Sequence, residues 1–224
     1  MISAKSDSEI QQDVLRELKW DTRVEETEIG VTVNKGVVTL TGIVSSYGKR
    51  VAAQEAAHRV AGVLDVANDL QVRIPDGLGR TDPEVAQAVR NALEWDIWIP
   101  ADRIQSTVSD GCVTLEGIVT QFGEREDAER AVRHLRGVRG VTNRIRVTGP
   151  KMIEQEKVRS MIEEALERRA EREAKRINVE VVDSTVTLSG AVRSWAEKRA
   201  ILGAVSHAPG VRVVDENLMI DPLV

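Results

Sequence analysis

One cysteine, Cys112, is all that 224 residues contain, so no internal disulfide and no Cys-x-x-Cys metal site can be built, a usage that fits a reducing compartment. Aromatic residues are scarce at 3%, which leaves the packing to Val, Ile, Leu and Ala. No run of about 18 apolar residues occurs, and the amino terminus MISAKSDSEIQQDVLREL sets acidic residues where a secretion signal needs an unbroken apolar stretch. The chain is therefore expected in the cytoplasm without a transmembrane segment, or in the periplasm where a leader has been removed. Positive charge is short as well: 31 Lys and Arg stand against 36 Asp and Glu, a net charge of -5. That balance argues against nucleic acid as a partner, since broad phosphate binding needs a basic face.

What the chain has instead is repetition. VVTLTGIV at 37 to 44 returns as CVTLEGIV at 112 to 119 and as TVTLSGAV at 185 to 192. Gly42, Gly117 and Gly190 are spaced by 75 and then 73, and the same offsets carry Ile29 to Ile104 to Ile177. An aromatic follows each glycine by five residues, as Tyr47, Phe122 and Trp195, and a Gly-Val pair closes each copy at Gly62, Gly137 and Gly210. A fixed long period means repeated structural units. Three are read here, 1–76, 77–149 and 150–224.

Within each unit the apolar spacing predicts five elements. Ile10, Val14 and Leu18 share one helix face and recur as Val85, Val89 and Leu93, then as Val158, Ile162 and Leu166. Asp7 and Asp82 stand where N-caps are wanted. A β-hairpin follows, turning at NKG and SDG in the first two units, and at VDST in the third, where a looser turn is expected. A second helix opens near Ser46 and Ser194, and a final strand alternates as Val66, Asn68, Leu70 and Val72. The fold class is thus α+β, with three α-β-β-α-β units, each a small mixed sheet carrying both helices on one face. Linker composition at 73 to 83 suggests that the second and third units form the tighter pair, and the charged run 163 to 176 suggests a longer first helix in the third.

The V-T-L-x-G strand, the aromatic five residues on, the alanine-bearing helix, G-V and then V-x-N-x-L together resemble the BON domain, in three copies over nearly the whole chain. The resemblance implies a binding module without shared catalytic residues, attributed to phospholipid or membrane attachment. It also implies an alternative, small-ligand or cation sensing, since a potassium-binding protein belongs to the same family. The third unit departs at Glu216, where Asn68 and Asn143 stand in the others, so a role for that asparagine is not carried over.

Candidate binding residues fall in two groups. EWDIWIP at 94 to 100 brings Trp95, Trp98 and Ile99 together at the end of a helix, and the resemblance gives the place meaning, since some lipid-binding BON domains present apolar residues there. The commoner fate of large aromatics is burial, over the hairpin or between units, and that reading is set first. Arg50, Arg125 and Lys198 form a repeated basic site that, with Lys49 and Arg199, would meet phospholipid head groups. A solvated helix face paired with carboxylates is the commoner reading there. His134 and His207 have no chelating neighbours in sequence, so no metal is expected, and no cofactor or catalytic motif is present. GVRG at 137 to 140 matches an RNA-binding loop only by coincidence, because a strand follows it. The expected partner is a phospholipid surface or another protein, with self-association open.

Overall fold

A computed structural model describes residues 5–25, 28–75, 77, 79–148, 155–169 and 176–221, with side chains 167–169 left aside. The first unit runs α1 (Asp7–Trp20), β1 (Ile29–Asn34), β2 (Val37–Val44), α2 (Tyr47–Arg59) and β3 (Asp65–Val72). The second has α3 (Asp82–Trp95), β4 (Ile104–Ser109), β5 (Cys112–Val119), α4 (Phe122–Val132) and β6 (Gly140–Val147). The third has α5 (Gln155–Arg169), β7 (Ile177–Val182), β8 (Thr185–Val192), α6 (Trp195–Ser206) and β9 (Val213–Ile220). Helix α5 is the longest at 15 residues, and the rest of the charged run, 170–175, lies outside the described residues.

Each sheet has three strands in sequence order, the hairpin pair antiparallel and the last pair parallel. The mixed sheet expected from chain direction is present in all three units. Alternation decides the faces: Val38, Leu40 and Val44 point inward to the helices, while Thr41 and Ile43 point out. Ile10, Val14 and Leu18 meet that inner face, and α2 lies beside α1 through Ala52, Ala53, Ala56 and Ala57, small enough for close helix-sheet approach. The second and third units repeat this core with Val85, Val89 and Leu93, and with Val158, Ile162 and Leu166.

The caps differ from the expectation. Ser6 and Thr81 are the N-caps, each answered by a glutamate three residues on. Asp7 and Asp82 begin the helices and reach across to the hairpin instead. Asp7 accepts the Lys35 and Gly36 amides at 2.8 and 2.9 Å, and Asp82 accepts those of Asp110 and Gly111, both at 2.9 Å. One carboxylate thereby ties each turn to the first helix, a charge-assisted clamp. The third unit has Gln155 at this place, yet its turn is no looser: Asp183 and Ser184 both take positive φ, and Val182 pairs with Thr185 as Asn34 pairs with Val37.

The repeated aromatics join the units. Tyr47 of the first packs against the core of the second, and its amide donates to the Val138 carbonyl at 3.4 Å. Phe122 of the second packs against the core of the third. Trp195 of the third packs against the core of the first. This succession is closed, so the chain forms a ring in which every unit uses the same two surfaces. The second and third units are therefore no tighter a pair than the others, because the first is held at both of its sides.

Candidate functional site

The end of the first helix exposes its aromatics. Helix α3 stops at Trp95, which is 87% exposed, and the loop beyond it carries Ile97 at 88% and Trp98 at 73%. The Trp98 amide donates to Asp96 Oδ1 at 3.0 Å, a local turn that holds the ring outward. Ile99, at 6%, goes the other way and anchors the loop in the core of the second unit. Burial of the tryptophans is thus overturned, and Ile99 leaves the exposed set. Trp20, the equivalent of Trp95 in the first unit, is 85% exposed at the end of α1. Sequence reasoning passed over Trp20 and Ile97, although Trp20 shares its place in the repeat with Trp95.

Ring geometry relates these two ends. Like units that meet through the same pair of surfaces in a closed cycle are related by rotation about one axis. Equivalent positions then lie at one level along it, which puts Trp20 and Trp95 on the same side. Trp98 also borders a groove of about 460 Å³ between the second and third units, lined by Asp96, Gln121, Asp127, Arg130 and His207.

The repeated basic site is structural. Arg50 donates to the Asn68 carbonyl at 2.9 Å while Asn68 returns its amide to the Arg50 carbonyl at 3.1 Å. Asn143 does the same to the Arg125 carbonyl at 2.9 Å, and Arg125 lies over the Phe122 ring, 5.7 Å from its centre. In the third unit Lys198 reaches the Leu218 carbonyl at 3.3 Å and the Glu216 carboxylate at 2.8 Å. Glu216 also accepts the Leu218 amide at 2.9 Å, as Asn68 accepts that of Leu70 and Asn143 that of Ile145. The asparagine's role therefore does carry over, because Glu216 with Lys198 replaces Asn with Arg. Lys49 is paired with Glu25 at 2.6 Å, and Arg199 sits near His58 at the seam between the third and first units. Arg50 and Lys198 are thus bonded within their own units, and Lys49 is held in an ion pair.

The seams account for other repeated residues. His134 stands against Gly48, where a Cβ would come within 3.0 Å of its Nδ1, and His207 stands against Gly123, where a Cβ would come within 2.8 Å of its ring. Glycine at the start of α2 and α4 is what lets the neighbouring helix end approach. Arg133 crosses to Glu55 at 3.3 Å, and His207 to Asp127 at 3.6 Å.

A groove of about 740 Å³ on the open sheet face of the second unit brings Arg103, Arg144 and Arg146 near Asp102 and Glu116, with Arg144 and Glu116 3.4 Å apart. Among the described residues no group of three or more His, Cys, Asp or Glu is placed to hold a metal ion, and no helix is long and apolar enough to cross a membrane.

Comparison with known proteins follows the same division. The BON domain family matches residues 6–74, 81–149 and 155–222. Among curated proteins, the osmotically-inducible protein Y of Escherichia coli (strain K12) is 29% identical over 141 residues, 61% of this chain and 70% of that protein. Among solved structures, CdsD, a structural protein of the type III secretion system of Chlamydia trachomatis, is 15% identical and covers 95% of this chain and 92% of its own, with a TM-score of 0.28. A second structure, the C-terminal domain of the same protein, is 13% identical over 97% of this chain and 100% of its own, also at 0.28.

Proposed function

Since this chain belongs to the BON domain family, of which it carries three copies in tandem, we propose that it is a non-enzymatic scaffold that docks on phospholipid surfaces through the exposed ends of its first helices. The observation that supports this is the outward set of Trp95, Ile97 and Trp98, joined on the same side of the ring by Trp20. Indole rings favour the boundary between head groups and acyl chains, and a rigid ring brings two such ends to one plane. Kinship with an osmotically inducible protein supports placing this scaffold in the response to osmotic stress. The repeated basic residues contribute little to docking, because Arg50 and Lys198 spend their charge on β3 and β9.

Co-sedimentation with phosphatidylglycerol-containing vesicles tests the proposal. The unaltered chain is expected to pellet with them, and Trp95→Ser and Trp98→Ser are each expected to weaken binding about tenfold, from about 1.5 kcal/mol of apolar burial lost per ring. Raising the salt is expected to change binding less than either substitution does. Failure to sediment at low salt, or equal sedimentation of the double variant, overturns the reading.

A further inference from the structure

The seam that closes the ring differs from the other two. There the aromatic lies face to face on a histidine, with the rings of His58 and Trp195 3.8 Å apart and 11° from parallel. The equivalent positions to His58 are Arg133 in the second unit and Ser206 in the third. His58 is only 8% exposed, and neither its Nε2 nor Trp195 Nε1 has a hydrogen-bond partner. From α6, Lys198 sits 4.6 Å from the centre of the Trp195 ring, and Arg199 also acts on His58. From its own helix His58 feels Glu55, which is already shared by Arg23 and Arg133, and from β3 it feels Asp65.

We propose that the ring closes at this seam only while His58 is neutral, so that acid separates the first unit from the third and leaves the three folds intact. A proton on His58 adds a cation beside Lys198 and Arg199, in a buried place that offers Nε2 no acceptor. The two carboxylates, Glu55 and Asp65, oppose this without cancelling it. Burial first, and then Arg199, holds the imidazole down to about 4 in the closed ring. Opening removes the burial and both α6 cations, and the group returns toward its ordinary value of about 6.5.

The sign follows directly. Between those two values the open form binds more protons than the closed one, so closure is full above about pH 6.5 and is lost as the pH falls toward 4. The closing constant is expected to fall about tenfold by pH 5.5 and on the order of 10²-fold by pH 4.5. Opening bares Trp195 and the face of the first unit that it covers. The other two seams lack a buried histidine under the aromatic and are expected to hold over the same range.

Energy transfer between the first and third units reads this out in the full chain. Cysteines placed by Thr32→Cys and Glu180→Cys, with Cys112→Ser, carry the fluorophores on the open sheet faces. Transfer is expected to drop reversibly from pH 7 to 4.5 while far-UV circular dichroism stays unchanged. His58→Phe keeps an aromatic under Trp195 and is expected to remain closed throughout, and His58→Gln gives a second variant that cannot take the proton. A flat profile in the unaltered chain, an equal drop in both variants, or loss of circular dichroism together with transfer overturns the proposal.

Discussion

Gly42→Ala is expected to unfold the first unit. Gly42 has φ of +129°, and a Cβ there would land on the Glu28 carbonyl, overlapping its oxygen and coming within 3.2 Å of its carbon. Neither atom can give way, because both belong to the backbone that leads into β1, opposite Gly42 in the ladder. The dihedral penalty alone is about 1 to 3 kcal/mol, and the clash raises the total to at least about 4 kcal/mol. A unit of this size has little more than that in reserve. Thermal melting followed by circular dichroism should show about a third of the signal lost well below the main transition. Gly203→Ala supplies the contrast within the same chain: it lies inside α6 with nothing within 4 Å of its would-be Cβ, and should stabilise by about 1 kcal/mol through helix propensity. If both variants melt like the unaltered chain, the clash has been misjudged.

Trp195→Ala is expected to break the ring. The indole packs against the core of the first unit, stacks on His58 and carries Lys198 over its ring, so truncation removes all three contacts at once. Loss of a large aromatic partly buried against another unit's core costs about 2 kcal/mol or more. The loss falls on the seam and not on either core, since the inward residues Ile201 and Val205 of α6 are untouched. The radius of gyration from small-angle scattering should therefore rise at neutral pH, and calorimetry should resolve a first unit that melts apart from the third. Trp195→Phe should restore most of the compactness. A scattering curve that does not change would mean that the ring is closed by something other than this contact.

The two variants mark how far the residues could be read without coordinates. Gly42, Leu40 and Val38 were legible as strand and bend because their neighbours lie within one hairpin, where the two-residue period records which side faces the core. The threefold aromatic was legible as a repeat but not as a joint. Tyr47, Phe122 and Trp195 meet side chains from another unit, and no spacing along the chain records that meeting. For the same reason Arg50 and Lys198 looked like free surface cations, when their partners are carbonyls on a strand 18 and 20 residues away. His58 drew no notice because it occurs in one unit only, and its buried position arises from the third unit's tryptophan.

Local periodicity, glycine placement and the long period by themselves determined three α-β-β-α-β units and the inward residues of their helices and strands, since those depend on contacts inside some 75 residues. The tertiary structure alone decided that the units close into a ring, that Trp95 and Trp98 face solvent while Ile99 does not, and that Arg50 and Lys198 donate to carbonyls of β3 and β9. These are outcomes of packing between distant surfaces, where burial depends on which unit arrives next to which.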